Sequence, residues 1–239
     1  MRNPQITVVG SYATGLTMRV DRLPSCGETL LGSGYRVDYG GKGSNQAIGC
    51  ARLGANVRFV AKIGKDQFGA GALRLYRDEQ VDASFVTDTT DRPTGVGFIT
   101  VEASSGSNCI VLDPGANDCM DAEDVERAQA AFQGSAVVLT QLEIPVEAAG
   151  EAMCRGKKEG AVTILNPAPV RPLTTAILQN VDILTPNESE ARVLAGYDPK
   201  SEIAAEQVAR ELLSMGVKTV VITLGERGCL LYTSDAADE

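Results

Sequence analysis

Histidine and tryptophan are both absent from this chain of 239 residues. The lack of histidine excludes Ser–His–Asp triads, histidine metal ligands and histidine general bases. Chemistry in this protein must therefore use carboxylates, lysines and backbone dipoles.

Positive charge and long apolar runs are also scarce. Lysine and arginine number 22 against 31 acidic residues, which gives a net charge of −9 and a pI near 4.7. This balance argues against a surface for nucleic acid or for anionic membranes. The N-terminal stretch MRNPQITVVGSYATG has neither the pattern of a signal peptide nor that of a membrane span. We therefore expect a cytoplasmic protein with no nucleic-acid or membrane partner.

No CxxC pair occurs among the six cysteines. Several of them lie in apolar stretches, so we expect buried free thiols in a reducing compartment rather than disulfides. The cysteines are Cys26, Cys50, Cys109, Cys119, Cys154 and Cys229.

Short β-branched runs alternate with amphipathic stretches in a chain that is 44% hydrophobic, a balance typical of one globular α/β domain. We predict strands over residues 6–10, 57–64, 136–142, 161–166, 181–187 and 218–225. We predict helices over residues 42–53, 67–80, 146–158, 188–195 and 203–215. The βα alternation indicates a three-layer α/β/α fold with a mainly parallel sheet, in which ligands bind beyond the carboxyl ends of the strands.

Two segments, 16–39 and 94–113, break this alternation. They contain strand patterns and turns without a helix signal, and TGVGFITV followed by SNCIVL has the pattern of a hairpin. We predict that the two segments together form a small antiparallel β lid over the strand ends.

The segment Asp38–Ala47, DYGGKGSNQA, is rich in glycine and opens a predicted helix. Gly40 and Gly41 allow backbone angles that suit a hinge, and donors from Lys42 and Asn45 converge with free helix N–H groups. Convergent donors suit a polyhydroxylated ligand, although a glycine-rich loop with a solvated lysine is an equal alternative. The segment is not a Walker A loop, because neither Ser nor Thr follows Lys42.

Six motifs in order resemble ribokinase and the broader pfkB family of carbohydrate kinases, from Ile6 to about Gly228. They are GGKGSNQA (40–47), PGAN (114–117), QLE (141–143), NPAP (166–169), TPNE with a further Glu (185–190), and TLG with a following RG (223–228). Six ordered motifs are far more specific than any one of them alone.

The resemblance implies roles for the residues of a sugar site. Gly40, Gly41, Lys42 and Asn45 would bind sugar hydroxyls, and Glu143 would accept a hydrogen bond from another hydroxyl.

The resemblance also implies a site for ATP and Mg²⁺. Asn187 and Glu190 match an NxxE element that organises Mg²⁺ and the phosphates through water, and Glu190 is the candidate metal residue. An N-cap completed by Glu190 is the alternative for this pair. Thr223 and Gly225 would approach the nucleotide phosphates, unless they form only the exit from a strand.

One departure from the family pattern concerns the sugar. The family's first strand usually ends in GSxNxD, whose Asn and Asp bind sugar hydroxyls, whereas Ala13 and Gly15 stand here. Removing a buried hydroxyl partner costs roughly 1–3 kcal/mol. Ribose itself is therefore in doubt, and another sugar or a nucleoside-like ligand is an alternative.

A second departure concerns catalysis. The family's GAGD motif, which supplies the catalytic Asp and the anion hole, does not occur in this sequence. The last eleven residues are Cys229–Glu239. They can be encoded by a DNA string that resembles a transposon-type sequencing adapter, and the alternative is a natural acidic tail. We expect an incomplete kinase domain over 1–228, cut short in a metagenomic assembly, and a non-native tail over 229–239.

We therefore expect a chain from an ATP- and Mg²⁺-dependent kinase that phosphorylates a primary hydroxyl of ribose or a related sugar, with no catalytic residue present. Any monovalent-cation site would lie in the missing part, and a homodimer through the lid is expected. The competing hypothesis is a non-catalytic sugar-binding fragment. A dinucleotide-binding oxidoreductase is disfavoured, because GxGxxG is absent after the first strand.

Overall fold

The computed structural model describes residues 3–234, which form twelve strands and seven α-helices. The strands are β1 (Gln5–Val9), β2 (Ala13–Val20), β3 (Ser33–Gly40), β4 (Asn56–Gly64), β5 (Asp82–Thr89), β6 (Gly95–Glu102), β7 (Asn108–Asp113), β8 (Val137–Gln141), β9 (Val162–Asn166), β10 (Ile183–Leu184), β11 (Thr219–Thr223) and β12 (Cys229–Thr233). The helices are α1 (Lys42–Arg52), α2 (Gln67–Asp78), α3 (Ala122–Arg127), α4 (Val146–Lys158), α5 (Thr175–Leu178), α6 (Glu188–Leu194) and α7 (Ala205–Ser214).

The main sheet has eight strands in the order β12-β11-β10-β9-β8-β1-β4-β5. Every pair in it is parallel except β11 with β12. Helices pack on both faces of its central strands: Ala47 of α1 and Tyr76 of α2 pack against Phe59 on one side, while Met153 of α4 and Leu212 of α7 belong to the core on the other. The predicted three-layer α/β/α fold is confirmed.

The predicted lid is a second sheet, in the order β3-β2-β6-β7. Its outer pairs, β2 with β3 and β6 with β7, are antiparallel, as predicted. The central pair, β2 with β6, is parallel. Both of these strands leave the main sheet at the same place, where Ala13 lies opposite Gly95, so they run outward in the same direction.

The predicted helices agree with the structure to within two residues at each end. The strand β5 and the short helices α3 and α5 have no counterpart among the predicted elements. Asp82 and Asp88 interrupt the apolar pattern of β5, which lies at the edge of the sheet and is covered less than the central strands.

The six cysteines are free, as predicted, but their expected burial is wrong in part. Cys26, Cys109 and Cys229 are exposed, and the other three are half-buried. Cys26 lies in a lid turn, and Cys109 and Cys229 lie on strands that are covered on few sides.

The segment interpreted as a non-native tail is structured at its beginning. Residues 229–233 form β12, and the Ser234 backbone N–H donates to the carbonyl oxygen of Lys218 at 3.1 Å. The other five residues of the tail lie outside the described part of the chain, and the non-native origin of the tail stays a prediction.

Candidate functional site

The carboxylate of Glu143 joins three separate segments at the carboxyl ends of β1 and β8. Its Oε2 atom accepts hydrogen bonds from the Ser11 hydroxyl at 2.6 Å and from the Lys42 backbone N–H at 2.8 Å. The negative charge therefore lies at the N-terminus of α1, where the helix dipole favours it. The structure thus brings Lys42 and Glu143 together across 101 residues of sequence.

Glycines allow α1 to begin in contact with the end of β1. Gly41 has φ of 91°, and a Cβ atom there would lie 2.7 Å from the Cα atom of Tyr12. A Cβ atom on Gly43 would lie 2.6 Å from the Ser11 backbone nitrogen. Gly41 and Gly43 are therefore needed for the close packing of α1 against the end of β1. This packing places the N-terminus of α1 beside Glu143.

Two polar side chains of α1 stay available for a ligand. The Lys42 ammonium group and the Asn45 side chain make no hydrogen bond or ion pair within residues 3–234, and Asn45 is exposed. Gly40 lies opposite Ala13 at the base of the lid. The structure therefore brings Gly40, Gly41 and Lys42 to the Glu143 carboxylate, with Asn45 in the first turn of α1. Sugar binding by these residues stays a prediction.

Asn117 of the PGAN motif fixes the point where the chain enters the lid. Its Oδ1 atom accepts from the Tyr12 N–H at 2.9 Å, and its Nδ2 atom donates to the Tyr12 and Pro114 carbonyl oxygens, each at 2.8 Å. Asn117 is buried. The sequence motif singled out this residue without indicating its role, which is to position the lid.

Asp66 fixes the second entry into the lid, a role that sequence reasoning missed. Its carboxylate caps α2 by accepting from the Phe68 and Gly69 N–H groups, and it also accepts from the N–H and hydroxyl of Thr94. Burial raises the pKa of this carboxyl, but the hydrogen bonds from Thr94, Gly69 and Phe68 outweigh that effect and hold it below its usual value. An Asp immediately before a helical pattern is the signal that could have indicated the cap.

Asn187 and Glu190, which the resemblance assigns to the phosphates and Mg²⁺, form a capping box at the start of α6. The Asn187 Oδ1 atom accepts from the Glu190 N–H at 2.8 Å, and the Glu190 Oε2 atom accepts from the Asn187 N–H at 2.9 Å. Both side chains therefore have a structural role, which is the alternative that the sequence left open.

A water-mediated Mg²⁺ fits these residues better than a direct protein cage. One oxygen of Glu190 is engaged in the cap, and its Oε1 atom has no partner in the described part of the chain. No group of three or more carboxylates and thiols there is arranged to hold a metal. Mg²⁺ commonly keeps several waters and takes only one or two carboxylates, so Glu190 would act through water.

Thr223 and Gly225 lie beside this capping box. Asn187 and Thr223 form an isolated parallel bridge, and the Thr223 N–H donates to the Pro186 carbonyl oxygen at 2.9 Å. Thr223 is exposed, and Gly225 has φ of 61° in the turn that follows. The structure brings the predicted phosphate-side residues together at the ends of β10 and β11.

Comparisons with known proteins agree with this architecture. The sequence profile described as "pfkB family carbohydrate kinase" matches residues 3–238. The chain is 39% identical to ribokinase of Haemophilus influenzae over 223 residues, covering 93% of this chain and 72% of that protein. It is 33% identical to deoxyribokinase of Salmonella typhi, covering 96% and 75%.

Solved structures of ribokinases are also similar to this chain. The Arabidopsis thaliana ribokinase complexed with ribose and ATP is similar with a TM-score of 0.85 and 30% identity, covering 98% of this chain and 76% of that one. Thermotoga maritima ribokinase is similar with a TM-score of 0.85 and 32% identity, covering 96% and 75%. None of the helices in the described part of the chain has the length and apolarity that a membrane crossing requires.

Proposed function

Because this chain belongs to the pfkB family of carbohydrate kinases, and is ribokinase-like within it, we propose that it comes from an ATP-dependent kinase acting on a primary hydroxyl of ribose or a related sugar. The relatives named ribokinase and deoxyribokinase support this substrate class. The acidic composition supports a cytoplasmic site of action.

The observation that carries the proposal is the network of Ser11, Glu143 and Lys42. It holds one carboxylate at the start of a helix whose first turn carries Lys42 and Asn45, which supports a sugar cleft at this position. The Glu143 Oε1 atom has no partner among residues 3–234 and is free to accept from a sugar hydroxyl. A sugar presents donors and acceptors on neighbouring carbons, and this cleft offers both kinds of partner.

The phosphates of ATP would lie at the ends of β10 and β11, near Asn187, Thr223 and Gly225. Glu190 would hold Mg²⁺ through water, and the bound ion would offset the charge of the phosphates. A monovalent cation is a further cofactor of the same proposal.

The 239 residues alone would bind sugar without transferring phosphate. The family takes its proton acceptor and anion hole from a GAGD motif, which this sequence does not contain. A positioned proton acceptor contributes about 10²–10⁴-fold, and a donor to the developing anion about 10²–10³-fold. Loss of both would leave turnover too slow to be useful.

Two further features belong to the proposal. Val111, Ile110 and Phe98 of the lid are exposed, which supports a homodimer formed through the lid. Light scattering that shows only monomer at micromolar concentration would count against this dimer. The absence of the usual Asn and Asp at positions 13 and 15 supports the alternative of a nucleoside-like substrate.

Calorimetric titration with D-ribose, 2-deoxy-D-ribose and adenosine tests the sugar site. We expect Glu143→Gln to weaken binding about tenfold or more, because hydrogen bonds to charged groups contribute about 1.5–3 kcal/mol. The variant keeps an oxygen for Ser11 and Lys42. Glu147→Gln, on the exposed first turn of α4, is the matched control and should change nothing.

Absence of binding by the unmodified chain to any of the three ligands would overturn the proposed substrate class. Equal binding by the Glu143→Gln variant would instead overturn the assignment of this cleft.

A further inference from the structure

In β2, two positions at which the family resemblance implies polar, sugar-binding side chains do not have them. Ala13 and Gly15 occupy the two positions, and neither can accept a hydrogen bond through its side chain. Gly15 does not have a positive φ, so its backbone does not require glycine. This side of the cleft therefore needs another partner for a sugar hydroxyl.

Asp38 lies directly across from Gly15 in the lid. The two residues are register partners in the antiparallel pair of β2 and β3, so their side-chain positions share one face. A Cβ atom built on Gly15 would lie 3.7 Å from the Cβ atom of Asp38. Asp38 thus places a carboxylate one strand away from the position where the family has one.

The opposite face of the lid is turned toward α2. The Thr14 hydroxyl lies 3.1 Å from that of Tyr12, whose ring packs edge-on against Tyr76 of α2. Tyr39 approaches Gly71 of the same helix. Gly15 and Asp38 alternate with Thr14 and Tyr39 along β2 and β3, so they lie on the face opposite α2. Gly40, which leads into α1, lies on the same face as Asp38.

Hydrogen bonds hold one oxygen of the Asp38 carboxylate in place and leave the other oxygen without a partner among the described residues. Its Oδ2 atom accepts from the Thr17 hydroxyl at 3.1 Å and from the Arg36 guanidinium at 3.2 Å. Its Oδ1 atom has no partner in the part of the chain that the structure describes, and the side chain is 43% exposed. Thr17 is buried, so the bond that orients the carboxylate is itself fixed by the lid.

Resting on the proposed sugar site, we propose that Asp38 determines specificity by accepting a hydrogen bond from a hydroxyl of the sugar. Its carboxylate replaces the one missing at position 15, displaced by one strand spacing of about 4.8 Å. The space over Gly15 can then hold a sugar substituent that a side chain at position 15 would exclude. Asp38 is also only two residues from Gly40, on the same face of β3 and close to the start of α1.

The test is calorimetric titration of the full chain with D-ribose, D-fructose and adenosine. For the ligand that the unmodified chain binds most tightly, we expect Asp38→Ala to raise the dissociation constant at least tenfold and Asp38→Asn at least threefold. Asp21→Ala removes an exposed carboxylate just beyond the end of β2 and should change the dissociation constant less than twofold.

A double variant, Gly15→Asp with Asp38→Ala, moves the carboxylate back to β2. The nearest atom to the new Cβ is the flexible end of Ile99, at 3.3 Å, and the other neighbours, the Cβ and carbonyl oxygen of residue 38, lie at 3.7 Å. We expect this variant to bind D-ribose more tightly than Asp38→Ala alone by at least threefold.

The outcomes separate the two proposals. If the unmodified chain binds none of the probes, the proposed sugar site fails, and the role of Asp38 fails with it. If it binds a probe and Asp38→Ala binds equally well, only the role of Asp38 is wrong. Should Asp38→Ala fail to fold, as judged by thermal unfolding, Asp38→Asn decides, and unchanged binding by that variant overturns the inference.

Discussion

The two halves of the main sheet are built from similar apolar strands but are covered differently. In β1, the neighbouring residues Val8 and Val9 point to opposite faces, and each has no exposed surface. In β11, Val220 is fully buried under the helices of one face, whereas its neighbour Val221 is only half-buried on the other. Leu231 of β12 is 62% exposed on the same side of the molecule as this open face.

The two halves of the sheet, which differ in how they are covered, carry different parts of the candidate site. The fully covered half, with α1 and α2 on one face, fixes Ser11, Lys42 and Glu143. The half covered on one face carries Asn187 and Thr223. The proposed sugar cleft is therefore held by a closed core, while the proposed phosphate site lies on a part of the sheet with one less covered face. Substitutions in the two halves should have distinguishable effects.

The largest expected effect comes from breaking the closed half at the start of α1. Gly43→Ala places a methyl group 2.6 Å from the Ser11 backbone nitrogen and should reduce the free energy of unfolding by about 2–3 kcal/mol, as overpacking commonly does. Urea denaturation measures this change.

Gly49→Ala is its control in the same helix. A Cβ atom there has nothing within 4 Å, so alanine should stabilise the protein by about 0.5–1 kcal/mol. Equal effects of the two substitutions would contradict the tight contact between α1 and β1.

The next effect concerns an ion cluster in the open half. Asp182 pairs with Lys157 at 2.6 Å and Lys218 at 3.0 Å and accepts from the Thr163 N–H at 3.0 Å. Burial raises the pKa of Asp182, but these partners outweigh it and hold the pKa well below its usual range. Asp182→Asn should cost about 1.5–3 kcal/mol at pH 7.

The pH dependence of this loss has a definite sign. Because the folded-state pKa is depressed, the contribution of Asp182 is fully present above its unfolded pKa of about 3.9 and is lost as pH falls below that value. Urea denaturation of both proteins at pH 7, 5 and 3.5 should show the difference shrinking only at the lowest pH. A stability difference between wild type and Asp182→Asn that stays constant over this pH range would argue against a charged Asp182. The control is Asp78→Asn, at an exposed position of α2, which should not change the free energy of unfolding at any of these pH values.

The smallest effect compares adjacent residues of β11. Val220→Thr buries a hydroxyl among apolar neighbours and should cost about 1–3 kcal/mol, whereas Val221→Thr on the open face should cost less than about 0.5 kcal/mol. Urea denaturation of the two variants tests the asymmetry directly. Equal losses would show that both faces of this strand are covered in solution.

Much of the fold could be predicted because local signals agree with the tertiary structure. Apolar periodicity and end signals gave the helices: α4 begins and ends where predicted, and Asn187 with Glu190 marks the start of α6. β5 was missed, since an edge strand needs no continuous apolar pattern. The parallel pairing of β2 and β6 joins segments about eighty residues apart, and no local pattern encodes it.

The candidate site likewise has residues that the sequence could indicate and contacts that only the folded chain shows. The glycine-rich helix start indicated Lys42, but its proximity to Glu143 was predicted only through the family resemblance, because spacing alone cannot indicate contacts across a hundred residues. Asp38 is the first residue of the glycine-rich segment Asp38–Ala47, yet its position opposite Gly15 depends on strand register, which the sequence does not indicate. The bond from Asn117 to Tyr12 likewise requires the folded chain.

A coupled assay for sugar-dependent ADP release tests the central claim most directly, that this chain contains a sugar cleft without the machinery of transfer. It compares the 239-residue chain with a fusion of residues 1–228 to the segment of Haemophilus influenzae ribokinase that follows its counterpart of Gly228. We expect both proteins to bind the same sugar by calorimetry, and only the fusion to release ADP above background. Comparable ADP release by the two proteins would contradict the account, because the catalytic groups would then lie within the 239 residues.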